Sequence, residues 1–468
     1  MAQDNPIRFK VEGQAIYNSE GQVPFWFRSN QFGSIPLDGA SGSLIGTVNR
    51  VYDSDRSKLF DWGFGIEGRA NLGNEAQATL IEGYAKLRLG MIQFKAGRSK
   101  DIMGIVGDSL LSSGSFSISG NALGVPQVSV SIPEFYTIPV FNGLFAVKGN
   151  FSHGWLGTLP LDLSYGVSES RTYFHQKSLY ARVGVPEGRF KFYAGFNHQV
   201  FWGNYSNTHQ GNPPLSTWEE FVKVTLGQVH VQSKVGNHLG SLDLALEYTF
   251  PAFRVKAYRQ ALYDIGALSK LANIQDGLQG VSLTNRRSNN GLFNWNRILL
   301  EVFYTKNQAG ELSSPKTRSG AENYYNNYQY TQGWSYMGQN LGNPFIIDRT
   351  YARQNLVAHP ENYYINNRLI LINAGFEGSI KDVVVRTKLS FSRNYGTHRT
   401  SGRAYRSPNN IIRPDPDYIF RPVNQFSFYL EGRKPFRNNV VAGLTLAGDR
   451  GGLLYNSAGI IASVSKSF

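Results

Sequence analysis

Two clusters of side chains carry whatever chemistry this chain performs. Residues 322–336 bring together Asn323, Tyr324, Tyr325, Asn326, Asn327, Tyr328, Tyr330, Trp334 and Tyr336, rings and carboxamides with almost no net charge. Aromatic faces stack on the C–H surfaces of sugars, and a carboxamide offers the donor and acceptor that a hydroxyl pair needs. The same composition returns at Asn362, Tyr363, Tyr364, Asn366 and Asn367. The second cluster is cationic: His398, Arg399, Arg403, Arg406, Arg413 and Arg421, with Tyr405 and Tyr418 between them. A guanidinium fork fits a carboxylate or phosphate, so uronic acids and the anionic groups of lipopolysaccharide suit it. Arg286 and Arg287 form a smaller basic turn. The plainer readings are an interfacial girdle or loop self-packing for the rings, and solvated charge facing anionic headgroups for the arginines.

Catalysis has little to build on. None of the eight histidines, at 153, 175, 198, 209, 230, 238, 359 and 398, is expected to lie in a pair. Neither His-Glu-x-x-His nor Gly-x-Ser-x-Gly occurs, there is no phosphate loop, and cysteine is absent, so metal, nucleophilic and nucleotide chemistry lack their usual frameworks. Glu219 and Glu220 are adjacent and point apart in a helix or a strand, unlike a glycosidase pair. No enzyme activity, cofactor or metal is expected. His238 is the histidine most worth testing, against the plainer reading of a turn residue before a strand.

The elements that must position these clusters are strands. In residues 453–468, Ala458, Ile460, Ala462, Val464 and Phe468 share one face, and Ser457, Gly459, Ser463, Ser465 and Ser467 the other. One face suits hydrocarbon and the other water, as in an antiparallel outer-membrane β-barrel closed on itself. The same alternation opposes Phe60, Trp62, Phe64 and Ile66 to Asp61 and Glu67, and Leu242, Leu244, Leu246 and Tyr248 to Ser241, Asp243 and Glu247, with a tight hairpin following at Pro251. Segments of this kind number on the order of 16 to 20, each about 9 to 13 residues, the span a tilted membrane strand needs. A soluble propeller or sandwich also has many strands, but here no repeat period is visible and the connections divide into short turns and very long loops.

Composition agrees. The chain holds 50 Gly, 26 Tyr and 30 Phe but only 17% charged residues, below the roughly 25% of ordinary soluble domains. No apolar run approaches a membrane helix, and mean hydropathy says little, since a barrel needs only alternate residues to be apolar. One barrel domain over 1–468 is expected, with long external connections near 203–217, 262–295, 306–367 and 396–423. Ser216 and Thr217 before Glu219 and Glu220 offer overlapping capping boxes for a short helix to Leu226, and 264–278 has helical spacing at Leu268, Leu271, Ile274 and Leu278. Both read as helices plugging or capping the lumen. Met1-Ala-Gln-Asp-Asn-Pro resembles a mature amino terminus after signal removal.

The formal charge of +14 admits nucleic acid, anionic lipid or acidic polysaccharide; an external envelope loop does not meet nucleic acid. Lys86, Arg88, Arg98, Lys191, Arg254, Lys256, Arg259, Arg386 and Lys388 are assigned to the lumen. They either line a channel for anionic solutes, the alternative function, or pair with inward Asp61, Glu67, Glu82, Asp243, Glu247 and Glu301. Pairing is favoured, because the acids occupy corresponding faces.

The motif Pro24-Phe25-Trp26-Phe27-Arg28-Ser29-Asn30-Gln31-Phe32-Gly33, followed by Gly97-Arg98, Ser119-Gly120-Asn121-Ala122, Ser152-His153-Gly154-Trp155, Asn237-His238-Leu239-Gly240-Ser241, Tyr258-Arg259-Gln260, Asp276-Gly277-Leu278 and the stretch 338–344, resembles the capsule-assembly Wzi family. The resemblance runs over about residues 20–350. It implies an eighteen-stranded outer-membrane barrel of a Gram-negative bacterium, a helical element occluding the periplasmic end, and a monomeric surface lectin that holds capsular polysaccharide, with a polysaccharide export machine as a possible envelope partner. Arg28, Asn30, Arg98, Asn237, His238, Arg254, Arg259 and Asp276 are read as lumen or plug residues. Tyr324, Tyr325, Tyr328, Trp334, Tyr336, Arg399, Arg403 and Arg406 are read as polysaccharide-binding.

Overall fold

The computed structural model describes residues 7–19, 22–37, 39–53, 58–74, 76–106, 108–203, 205, 213–231, 233–264, 271–287, 291–310, 322–403, 405–407, 410–412 and 416–468. Its frame is one antiparallel sheet of 18 strands. In chain order these are β1 (Ile7–Asn18), β2 (Ser41–Arg50), β3 (Phe60–Leu72), β4 (Gln77–Leu89), β5 (Ile92–Arg98), β6 (Gln127–Thr137), β7 (Phe145–Pro160), β8 (Glu169–Val183) and β9 (Phe190–Trp202). The second half comprises β10 (Asn237–Thr249), β11 (Phe253–Asp264), β12 (Gly277–Asn285), β13 (Phe293–Tyr304), β14 (Leu369–Ile380), β15 (Val383–Asn394), β16 (Val423–Pro435), β17 (Val440–Gly451) and β18 (Ser457–Ser467). Each strand pairs with the next, and β18 returns to β1 in register from Lys10 opposite Ser467 to Asn18 opposite Gly459. Every strand has a partner on both sides, so the ring closes, the condition for placing strands in lipid.

Alternation assigns the faces. On β10 the exposed side chains are Leu242, Leu244, Leu246 and Tyr248, while Ser241, Asp243, Ala245 and Glu247 are buried. On β18 Ile460 and Val464 are exposed and Ser457 and Ser465 buried. Apolar side chains outside and polar ones inside invert the soluble pattern, and only a hydrocarbon surround makes that inversion stable. The inward charges pair with one another: Asp61 with Arg50 at 3.1 Å and Arg88 at 3.6 Å, Glu67 with Lys100 at 2.6 Å, and Arg386 with Glu377 and Glu431 at 2.7 Å each.

The two ends differ. Connections 90–91, 250–252, 381–382 and 436–439 are short turns at one end, whereas 19–40, 99–126, 203–236, 305–368 and 395–422 all leave the other. Long connections mark the external end of such barrels. The described parts of three of them, 19–40, 99–126 and 305–368, fold back and fill the lumen. Glu301 on β13 accepts from Ser112 Oγ at 2.7 Å and Ser113 N at 2.6 Å, Asp243 on β10 from Ile105 N at 2.9 Å, and Asp449 on β17 from Phe25 N at 2.7 Å. Between these anchors the plug packs Phe25, Trp26, Phe116 and Phe345 into one apolar cluster.

Three expectations change. The connection expected over 262–295 is interrupted by β12, whose Leu278 is a fully buried wall residue rather than part of a helix. Residues 265–270 of that expected helix lie outside the described residues, and 271–275 are turns. The occluding material is irregular backbone entering from the external end; its one described α-helical turn is α1 (Phe25–Arg28), not a helix at the periplasmic end. The second helix, α2 (Thr217–Leu226), starts as expected: Ser216 Oγ accepts from Glu219 N at 3.3 Å and Glu219 Oε2 from Ser216 N at 2.8 Å. It packs Val224 and Phe221 against Val200 and Trp202 of β9, on the outer surface of the wall, so it caps no lumen.

One stretch of wall is low. β5 ends at Arg98 opposite Gly83, and the last rung between β6 and β7 is Gln127 opposite Gly154, while β4 continues to Gln77 and β7 to Pro160. At the external end a notch therefore separates β4 from β7.

Candidate functional site

Most rings expected on an external loop are inside the plug. Tyr324, Tyr325 and Trp334 are at most 1% exposed and Tyr336 is 6%. Tyr324 donates its hydroxyl to Asp276 at 2.7 Å, Tyr325 donates to the Phe116 carbonyl, and Trp334 stacks on Phe201 at 4.2 Å while its indole donates to Ser117 O at 2.8 Å. The expectation that these rings stack on ligand is corrected for Tyr324, Tyr325 and Trp334: each has satisfied its polar atom inside a close-packed core. Tyr328 is exposed, and Tyr336 reaches the plug surface through its hydroxyl.

The arginine loop is partly described. Arg399 pairs with Glu361 and approaches His359, and Arg403 is exposed. Arg406 belongs to a short two-stranded hairpin, 405–412, and Arg413 lies outside the described residues. Arg399 and Arg403 form a rim at the external end.

The residues assigned to the lumen divide by face. Asn237 and Arg254 face inward, and Arg254 sits 3.8 Å from Glu247. Arg98, His238 and Arg259 carry the parity of the outer face: Arg98 that of exposed Phe94, His238 that of exposed Leu242, and Arg259 lies opposite exposed Leu244. The lumen assignment is corrected for His238 and Arg259; Arg98 has the outer parity at its backbone, yet its guanidinium reaches the plug, donating to Tyr336 Oη at 2.9 Å. His238 Nδ1 is 2.8 Å from His198 Nε2 on the outer wall, a pair that neighbouring strands bring together and the sequence reading missed, and its ring faces away from the plug.

Asp276 joins wall to plug. It accepts from Asn307 N at 2.9 Å, Gln308 N at 2.6 Å and Tyr324 Oη at 2.7 Å, and burial raises its carboxyl to about 6. A carboxyl whose folded value lies above its unfolded one favours the fold while protonated, so that contribution is complete below about pH 4 and disappears as pH rises through about 6. The plug is therefore expected to melt lower at pH 7.5 than at pH 4.5 by a margin on the order of 2 kcal/mol that Asp276→Asn abolishes, measured by thermal unfolding in detergent.

Two clefts open at the external end, and Arg28 borders both. The smaller, of about 210 Å³, is lined by Arg28, Thr350, Tyr351, Asp449, Tyr455 and Ser457. The larger, of about 440 Å³, is lined by Arg28, Arg98, Gln77, Thr79, Tyr336 and Gln339 and lies at the wall notch. The Arg28 guanidinium rests 3.6 Å from the Tyr351 ring centroid and its charge acts on the buried carboxylates of Asp348 and Asp449, but it makes no hydrogen bond or ion pair among the described residues, leaving its N–H groups for a ligand. Helix α1 fixes its backbone, with Asn30 N bonded to Asn121 Oδ1 at 3.3 Å just beyond. Arg98 donates to Leu80 O at 3.1 Å and Tyr336 Oη at 2.9 Å. Guanidinium, phenol and carboxamide groups around a concave opening are the complement of an anionic saccharide. Tyr351, Gln339 and Tyr455 were not singled out from sequence, since nothing in their local composition separates them from the rest of the chain.

The capsule assembly protein Wzi family profile matches residues 5–350. The chain belongs to this family. Among solved structures it is similar to Wzi of Escherichia coli, an outer-membrane protein involved in group 1 capsule assembly and described as a carbohydrate-binding β-barrel, at 12% identity and a TM-score of 0.56 over 98% of this chain and 83% of that one. OccAB2 of Acinetobacter baumannii and OccK5 of Pseudomonas aeruginosa follow at 8% and 9% identity with TM-scores of 0.49 and 0.47, each over 99% of this chain and 98% of the other. No curated protein sequence matches. Family membership and the apolar outer belt make this Wzi-family chain a barrel of the Gram-negative outer membrane.

Proposed function

We propose that this barrel acts in capsule assembly as a lectin, holding surface polysaccharide at the external mouth through the two clefts that share Arg28. The observation that carries the reading is the Arg28 guanidinium, stacked on Tyr351 yet unspent in hydrogen bonding, between two openings lined by carboxamides and tyrosines. Arg399 and Arg403 on the rim, with exposed Tyr328 and with Arg406 from the same connection, draw an acidic polymer toward these clefts, and Tyr336 contributes its hydroxyl inside the larger one. The protein works as a monomer without catalysis, receiving its ligand from a polysaccharide export machine and resting among outer-membrane lipids. The mutual pairing of inward charges and the packed plug speak for an anchor over a pore for anionic solutes.

The test is a glycan array probed with detergent-purified protein at low and high salt. Acidic glycans should be retained, and retention should fall several-fold between 50 and 300 mM salt as the guanidinium charges are screened (an order-of-magnitude expectation). Retention of no glycan above a detergent blank overturns the proposal.

A further inference from the structure

The larger cleft is not confined to the lumen. Because β5 stops at Arg98, the external half of β4 has an open edge, and the cleft is lined by β4 residues from both faces of the wall: Gln77 and Thr79 on the plug side, Ala78 and Leu80 on the outer side. It therefore opens sideways through the notch as well as upward to solvent. Directly below, on the outer wall, lies a second concavity of about 470 Å³. Its floor is made by small residues, Ala85 and Ala96, and its sides by Leu87, Phe94, Val130 and Phe151.

Strand register ties the two together. On the outer face the rungs run Leu87 with Phe94, then Ala85 with Ala96, then Gly83 with Arg98. Arg98 thus follows Ala96 on the same face of β5, about 7 Å further along the strand. An apolar groove in the lipid-facing belt leads straight up to a guanidinium at the lip of a polar cleft. The Arg98 Nε is buried and has no hydrogen-bond partner among the described residues, and Arg28 stands across the same opening.

We propose that groove and cleft form one bipartite site for an outer-leaflet lipid that carries an anionic saccharide headgroup, with one acyl chain lying on Ala85 and Ala96 and the charged sugar or sugar phosphate held by Arg98 and Arg28. This rests on the reading of the cleft as a saccharide site and names the form in which the saccharide arrives, anchored in the membrane beside the barrel. The occupant follows from position. The groove belongs to the belt that lipid covers, so a hydrocarbon chain fills it; the carboxamides Gln77 and Gln339 above it have no use for a simple lipid head but suit hydroxyls. A free polymer would need neither the groove nor the sideways opening.

The experiment measures binding to the detergent-solubilised full chain by native mass spectrometry with three probes: rough-form lipopolysaccharide, the same molecule with its acyl chains removed, and phosphatidylglycerol. Intact lipopolysaccharide should bind about tenfold or more tightly than either of the others, since the acyl chain and the sugar each contribute. Ala96→Phe, which fills the groove from the lipid side where no packing partner is displaced, should bring the intact-to-deacylated ratio close to one. Arg98→Gln should weaken both saccharide probes. Equal binding of intact and deacylated probes, or an unchanged ratio in Ala96→Phe, overturns the lipid half and leaves the saccharide reading of the cleft standing. Phosphatidylglycerol binding as well as lipopolysaccharide overturns the saccharide half. Failure of the lectin reading itself shows separately, as an empty glycan array.

Discussion

Replacing Glu301 by alanine is expected to turn a closed barrel into a conducting one. The fully buried Glu301 carboxylate on β13 gathers four donors: Ser112 Oγ at 2.7 Å, Ser113 N at 2.6 Å, Asn373 Nδ2 at 3.2 Å and the Tyr258 hydroxyl. Two of these belong to the 99–126 segment, so the residue pins the centre of the plug to the wall. Alanine leaves every donor without its charged acceptor, at about 1–3 kcal/mol for each buried group that stays unpaired. The eighteen-strand ladder does not depend on this contact, and the barrel should persist while the segment carrying Leu111 and Phe116 loosens. In planar bilayers the parent protein should be silent and Glu301→Ala should show stable conductance steps, with a lower thermal midpoint in detergent. Silent bilayers together with an unchanged midpoint would show that Glu301 does not hold the plug. Glu301→Gln, which keeps one acceptor, should fall between.

The frame was legible in the sequence because lipid imposes a strict rule on every second residue. Alternation at Leu242–Tyr248 and at Ala458–Val464 placed the right side chains outward, and the Ser216–Glu219 cap marked α2 at its true start. The plug was not legible. Tyr324, Tyr325 and Trp334 have the composition of a sugar-binding loop, but the same rings and carboxamides also build a polar-satisfied core, and only tertiary contact with Phe116, Phe201 and Ser117 distinguishes the two. Arg98 misled for a different reason. It lies in a strand too short to reveal its phase: the register with Gly83 starts its side chain from the outer face, and only the bond to Tyr336 carries its charge to the plug. The clefts themselves join residues 28, 98, 336, 339 and 351 from four separate stretches of chain, a juxtaposition that no local pattern encodes.

Arg28 offers the sharpest separation of the cleft from the charged rim. Substitution with glutamine keeps a planar amide over Tyr351 and removes the charge. The barrel should persist, because Arg28 makes no hydrogen bond among the described residues and its cation–π contact at 3.6 Å is worth about 0.5–2 kcal/mol, but its charge also offsets buried Asp348 and Asp449, so a lower thermal midpoint is expected. Retention of acidic glycan should fall about tenfold, the loss expected from one charge-assisted fork of about 1.5 kcal/mol or more, and the remaining retention should respond less to salt. Arg28→Lys should recover part of the charge effect without the bidentate geometry. The rim predicts a weaker response: Arg399 is already paired with Glu361, so Arg399→Gln with Arg403→Gln should cost about threefold or less, the range of exposed pairs. Side-by-side binding of the two variants to one acidic glycan, at two salt concentrations, decides between the locations. A large loss in the rim variant with parent-like binding in Arg28→Gln would move the site from the clefts to the rim.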